Sequence, residues 1–309
     1  MEPSGKAWTR IRRELVAAFE QQRPPDFSRL TPEKWVKTLD RLLGAGEIDL
    51  ASHAIRCLAA HAPELDWPRN IGAILDRLPA GAPGRPPFAD DETLEVQSAP
   101  SPGADTVILV FCGVRDRIGM PTPLFHRWME RLGCSVIYLR DFQRAHFLKG
   151  VRSLAEDRAG SVKALKSLAA ELGARRILCL GNSSGGYGAL LYGLELGAEA
   201  VLSFSGPSNL EPEFNEHLNR RDSAERLREA LPAQPLDLKT LYLTGSTPPR
   251  PLIVYGEFSW DDRLHAEHMA EAPAAELISI PGFLGHGTVA EMIRRGEMEA
   301  LLDRFNRRN

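Results

Sequence analysis

One short stretch constrains the fold of this chain more than any other, a Gly-x-Ser-x-Gly turn between a strand and a helix. Gly181, Ser183 and Gly185 form the turn, which follows the apolar run 176–180 and precedes the Gly- and Ala-rich run 184–196. A turn this tight strains the backbone of the serine and points its hydroxyl away from the sheet, and the glycines leave room for it. The pattern predicts a nucleophilic serine at position 183.

Proline and glycine divide the chain into two parts. Residues 1–79 have the apolar spacing of helices, residues 80–90 are dense in Pro and Gly, and strand and helix patterns alternate over 91–309. We expect a small all-helical N-terminal domain, a linker, and an α/β domain with a cap insertion at about 206–249. Because 46–61 resembles one hairpin of a tetratricopeptide-type repeat, a plain appendage and a protein-binding module both stay open.

Seven strands and five helices are predicted in the α/β domain. The strands are 93–97, 106–111, 135–139, 176–180, 200–204, 251–255 and 276–280, and the helices are 121–132, 153–172, 184–196, 261–271 and 287–306. Short apolar runs separated by helices are typical of a mostly parallel sheet with helices on both faces. Right-handed crossovers then bring the loops that follow the strands to one edge of the sheet, where ligands bind.

The α/β domain resembles the α/β-hydrolase superfamily over roughly residues 90 to 305. The resemblance rests on the turn at Ser183 and on Gly285-His286-Gly287, which lies between the last predicted strand and the last predicted helix. It implies the α/β-hydrolase fold and a triad in the order serine, acid, histidine. His286 would then take the proton of Ser183 and return it to the leaving group.

The acid of this triad departs from the usual pattern. The family commonly carries Gly-x-x-Asp after the strand predicted here at 251–255, and Ser259 stands at that aspartate's position. Some hydrolase-like proteins have a strand followed by Tyr-Gly, then a polar loop, and then an Asp three residues before His-Ala. This sequence resembles that pattern, and the resemblance favours Asp262. Asp261 is the alternative and Glu257 the third candidate. Asp262 also fits the third position of a helix capping box.

The resemblance also implies an oxyanion hole and substrate contacts. The backbone amides of Ser184 and Val114 are the expected donors, and Cys112 stands where the family has a histidine. The arginines near this edge would bind a carboxylate or phosphate, or would belong to an Arg–Asp network that holds the loops. The candidate substrate contacts are Cys112, Gly113, Arg115, Asn182 and Arg140.

Composition and spacing exclude several classes of protein. A net charge of −3 without a basic stripe excludes nucleic acid as a partner. The sequence has no long apolar run and no signal-peptide core, so we expect a cytoplasmic protein without membrane insertion. Four widely spaced cysteines indicate reduced, buried thiols. His265 and His268 lack a third ligand nearby, and no dinucleotide or phosphate-loop fingerprint occurs, so neither a metal nor a cofactor is expected.

The predicted function is that of a serine hydrolase acting on a small-molecule acyl substrate, a carboxylic ester or thioester, through an acyl-enzyme. An acyltransferase would use the same acyl-enzyme with an acceptor other than water. A catalytically inactive, hydrolase-like binding scaffold is the alternative of another class. The fold alone does not choose among these three.

Overall fold

The computed structural model describes residues 5–81 and 87–308 of the 309-residue chain. The chain forms two compact units, one of residues 1–91 with 121–131 and the other of residues 92–120 with 132–309. Part of the predicted linker, residues 82–86, lies outside the described residues.

The first unit is helical. Its α-helices are α1 (Gly5–Glu20), α2 (Pro32–Gly44), α3 (Ile48–His61), α4 (Asp66–Leu75) and α5 (Thr122–Arg131). Helix α3 packs against α1, α2 and α4 and buries Ala54, Ile55 and Leu58. Helix α2 begins at a proline, which needs no N–H partner there. The sequence assigned α5 to the α/β domain, whereas the structure packs it against α2 in this unit.

A seven-stranded sheet forms the centre of the second unit. Its strands are β1 (Val96–Ala99), β2 (Thr106–Phe111), β3 (Ser135–Leu139), β4 (Arg176–Asn182), β5 (Ala200–Phe204), β6 (Arg250–Gly256) and β7 (Glu276–Ile280). Their order is β1-β3-β2-β4-β5-β6-β7, and only β1 runs antiparallel to its neighbour. Strands β2 to β6 are rich in buried aliphatic residues, and the pairing confirms the predicted mostly parallel sheet.

Helices cover both faces of this sheet. The α-helices of this unit are α6 (Arg158–Glu171), α7 (Ser184–Leu196), α8 (Pro212–Asn215), α9 (Arg221–Ala230), α10 (Leu238–Thr244), α11 (Trp260–His268), α12 (Thr288–Arg294) and α13 (Met298–Phe305). Val107 and Leu109 of β2 share a core with residues of α6, α7, α10 and α11. Side chains alternate along a strand, so Ile108 and Val110 point to the opposite face, and both are fully buried.

Four of the five predicted helices have different bounds. The helices predicted at 121–132 and 261–271 are α5 (Thr122–Arg131) and α11 (Trp260–His268), and two others differ more. The helix predicted at 287–306 is two helices, α12 and α13, because the chain turns at Gly296, whose φ of 74° is a left-handed conformation that glycine adopts easily. The helix predicted from 153 begins at Arg158, where the Asp157 carboxylate caps it by accepting a hydrogen bond from the Gly160 amide.

The predicted insertion at about 206–249 is the segment between β5 and β6. It contains α8, the short 3-10 helix Glu216–Leu218, α9 and α10. Across the described ranges 5–81 and 87–308, no helix has the length and apolar character needed to cross a membrane.

Candidate active site

Ser183 lies between the last residue of β4 and the first residue of α7. Its φ and ψ are 52° and −128°, which is unfavourable for a residue with a side chain. The surrounding backbone enforces this turn, because the Ser183 amide donates to the Phe204 carbonyl at 2.9 Å. A Cβ on Gly185 would lie 2.1 Å from the Phe111 carbonyl oxygen, so only glycine fits there. The Ser183 side chain makes no capping hydrogen bond to α7 and instead lines a cavity.

This cavity is open to solvent, has a volume of about 470 Å³ and lies entirely within the second unit. Segments that follow β2, β3, β4, β5, β6 and β7 all contribute to it, as expected for the carboxyl edge of a parallel sheet. The side chains of Ser183, Asp262 and His286 share its wall.

His286 and Asp262 are joined by a hydrogen bond of 2.8 Å between Nδ1 and Oδ1. Asp262 is in the first turn of α11 and its side chain is 5% exposed, whereas the His286 side chain is 52% exposed. A buried carboxylate on Nδ1 fixes the ring and leaves Nε2 available as a base. Ser259 precedes α11 without making a side-chain capping bond, so this site is not a capping box.

The other two carboxylates considered from the sequence have different partners. Asp261 accepts a hydrogen bond from Arg220 at 2.8 Å, and its side chain is 36% exposed. Glu257 accepts from the Gly282 amide at 2.6 Å. Of the three candidate acids, the structure brings Asp262 to His286.

The two residues predicted to supply the oxyanion hole, Val114 and Ser184, both line the cavity. Within residues 5–81 and 87–308, neither the Val114 amide nor the Ser184 amide has a recorded acceptor. Asn182 holds the first of these loops, because its Oδ1 accepts from the Gly113 amide at 3.1 Å. The Ser184 amide also lies at the positive end of the α7 dipole.

The structure places the predicted substrate contacts outside the cavity lining. Cys112 is fully buried, Arg115 is exposed, and Gly113 and Asn182 bond to each other. Arg140 is also fully buried and donates to the Leu94 carbonyl at 2.7 Å. Gly113, Asn182 and Arg140 therefore hold the loops around the cavity, which for Arg140 is the structural role that the sequence left open.

Three basic side chains of the cavity wall were not assigned to the site from the sequence: His146, Arg220 and His265. His146 follows β3, so its position after a strand was the only available signal. Burial lowers the pKa of His146, and burial together with the nearby Arg220 charge lowers the pKa of His265 to about 3. Both imidazoles are therefore neutral near pH 7.

The other residues considered for metal or redox chemistry have ordinary partners. His265 Nδ1 accepts from the Ser208 amide at 3.2 Å, and His268 Nε2 lies 2.8 Å from the Asp237 carboxylate. No group of three or more metal-ligating side chains occurs in the part of the chain that the structure describes. All four cysteines are free, and only Cys57 is not fully buried.

The sheet order with one antiparallel edge strand, the turn at Ser183 and the helices on both faces define an α/β-hydrolase fold, which confirms the fold that the resemblance implied. No protein-family model matches the sequence, and no curated protein matches it.

Solved structures with which this chain aligns include several hydrolases. The α/β hydrolase MGS-MChE2, from a sediment metagenome of the Mar Chica lagoon, is 18% identical with a TM-score of 0.45 over 68% of this chain and 93% of that one. A structure associated with the carboxylesterases of the thaumarchaeon Nitrososphaera gargenis is 16% identical with a TM-score of 0.46 over 68% of this chain and 92% of that one. A lipase-esterase related protein of Clostridium acetobutylicum is 13% identical with a TM-score of 0.44 over 69% and 100%.

Proposed function

We propose that this protein is a serine hydrolase that cleaves a carboxylic ester or thioester of a small molecule. The observation that carries the proposal is the 2.8 Å hydrogen bond between His286 Nδ1 and Asp262 Oδ1, in the wall of the cavity that Ser183 also lines. A nucleophile, a base and an acid that orients the base are the minimum for acyl transfer through a covalent intermediate.

Each group has one role in the proposed reaction. Ser183 Oγ attacks the carbonyl carbon while His286 Nε2 takes its proton, and Asp262 stabilises the imidazolium that forms. The Val114 and Ser184 amides donate to the oxyanion of the tetrahedral intermediate. The imidazolium then protonates the leaving alcohol or thiol. In the second half of the reaction His286 activates a water that attacks the acyl-enzyme and releases the acid.

Hydrolysis of p-nitrophenyl acetate tests the proposal. We expect Ser183→Ala and His286→Ala each to lower kcat/KM by about 10³-fold or more, because the nucleophile and its base act as one unit. His217→Ala is the matched control, since His217 is exposed and lies outside the cavity lining, and it should keep wild-type activity. Activity that survives Ser183→Ala, or its absence in the folded wild type, contradicts the proposal and favours a binding scaffold.

A further inference from the structure

The cavity has apolar side chains at its mouth and polar side chains in its interior. Its large apolar residues are all exposed, with Val114 at 54%, Phe258 at 61%, Trp260 at 63% and Leu284 at 73%. The buried residues of its wall are Ser184, Ser205, Asp262 and His265. Among the described residues of the lining, none is both apolar and buried. A long fatty-acyl chain would therefore find no buried apolar side chain to pack against in this lining.

His265 presents an unused hydrogen-bond donor within this wall. Its Nδ1 accepts from the Ser208 amide at 3.2 Å, which places the ring proton on Nε2. His265 is 3% exposed, and its buried Nε2 has no hydrogen-bond partner among the described residues. Phe214 stacks on the ring at 5.1 Å and holds its orientation. A buried N–H without an acceptor is costly unless a ligand supplies one.

His146 is a second residue of this wall with an unpaired ring nitrogen, and the loop around it is unusual. Arg144, His146 and Phe147 have φ values of 54°, 53° and 62°, a left-handed conformation that is unfavourable for residues with side chains. Asp141 Oδ2 fixes the loop by accepting from the amides of Ala145 at 2.7 Å and Phe147 at 2.9 Å. His146 Nδ1 is buried, again without a partner in the described ranges. A strained loop thus holds an unpaired imidazole at the cavity.

Arg220 completes the cluster of nitrogen-bearing groups. It lines the same cavity as His146 and His265, and its positive charge adds to burial in lowering the pKa of both. Its partner Asp261 occupies one guanidinium nitrogen at 2.8 Å, and the guanidinium carries further N–H donors. Neutral imidazoles beside a guanidinium favour a ligand rich in acceptor oxygens.

We propose that His146, His265 and Arg220 hydrogen-bond an oxygen-rich group of the substrate, while the exposed apolar mouth contacts the remainder. This inference rests on the proposed function and narrows it to short esters or thioesters that carry hydroxyl or carboxylate groups next to the reacting bond. A substrate without these oxygens leaves the buried Nε2–H of His265 and the buried Nδ1 of His146 unpaired, and a site built to hydrogen-bond a hydroxyl rejects the analogue that lacks it. The oxygens belong either to the acyl group or to the alcohol.

Binding to the Ser183→Ala variant, measured by calorimetry, tests the inference without consuming the ligand. One pair, p-nitrophenyl butanoate and p-nitrophenyl 3-hydroxybutanoate, differs in the acyl group. The other, cyclohexyl acetate and a mono-acetylated methyl glucoside, differs in the alcohol. We expect the hydroxylated member to bind at least about tenfold more tightly in one pair, and that pair identifies the source of the oxygens. Equal or weaker binding of the hydroxylated member in both pairs overturns the inference.

Two variants at one position separate recognition from a structural effect. In the Ser183→Ala background, His265→Leu removes the Nε2 donor and should abolish the preference within the pair. His265→Gln supplies an amide N–H at a similar distance and should retain most of it. A purely structural role for His265 would weaken both members equally and leave their ratio unchanged, which also overturns the inference.

A parallel fluorophosphonate reaction on the wild type keeps the two proposals distinguishable. If Ser183 is labelled and no binding preference exists, the hydrolase proposal stands and the subsite is wrong. If the preference exists and Ser183 is not labelled, the subsite stands as a binding site and the hydrolase proposal fails.

Discussion

The hydrogen bond between Asp262 and His286 allows the effect of one substitution to be estimated. Asp262→Asn keeps the shape of the side chain and removes the charge that would stabilise the imidazolium. Two unit charges about 4 Å apart attract each other by about 4 kcal/mol at an effective dielectric constant of 20. The His286 side chain is 52% exposed, so water screens part of this attraction. We expect a loss of about 2 to 3 kcal/mol in transition-state stabilisation, or about 100-fold in kcat/KM.

The neighbouring aspartate provides the control. Asp261→Asn changes the same charge one residue away, and it breaks an exposed ion pair with Arg220 rather than the contact with His286. Exposed pairs contribute little, so kcat/KM for p-nitrophenyl acetate should fall by less than about threefold. Equal losses in the two variants, or an unchanged rate in Asp262→Asn with its fold intact by circular dichroism, would refute the assignment of Asp262 as the acid.

Three further predictions concern stability and reactivity. Gly186→Ala should lower the free energy of unfolding by about 2 kcal/mol or more in urea, because the new Cβ would lie 2.7 Å from the Gly206 backbone, whereas Gly72→Ala, with open space in a helix, should raise it. Burial raises the pKa of Asp237, but hydrogen bonds from its histidine and threonine partners outweigh burial and leave the pKa below the ordinary value. Asp237→Asn should therefore lower the free energy of unfolding at pH 7, and this loss should become smaller as the pH falls below about 4. Burial raises the pKa of Cys134 to about 11, so iodoacetamide at pH 8 should modify it only after unfolding, as mass spectrometry would show.

Local sequence signals were sufficient for most of the sheet and for the turn at its centre. Strands β2, β3, β5 and β7 and helix α7 have the predicted bounds. Short apolar runs predict these strands, and the neighbouring glycines predict where the helix begins and ends. The positive φ of Ser183 follows from the same local pattern. The break at Gly296 was missed because apolar spacing continues across it, and a single glycine does not reveal whether it terminates a helix.

The candidate site was less predictable because long-range contacts assemble it. The sequence favoured Asp262 over Asp261 and Glu257 only through a resemblance, because the contact with His286 joins residues 24 positions apart. The role of Arg140 depends on the Leu94 carbonyl, which lies 46 positions away in the sequence. His146 enters the cavity through a loop whose conformation depends on Asp141 accepting two amide hydrogen bonds.

Intact-mass analysis after reaction with a fluorophosphonate tests the central claim, that Ser183 is the nucleophile, most directly. We predict one adduct on the wild type, mapped to Ser183 by peptide sequencing and absent from Ser183→Ala. Ser184→Ala should still be labelled, because Ser184 is proposed to act through its backbone amide rather than its hydroxyl. An adduct on another residue, or a folded wild type that acquires none, would contradict the account.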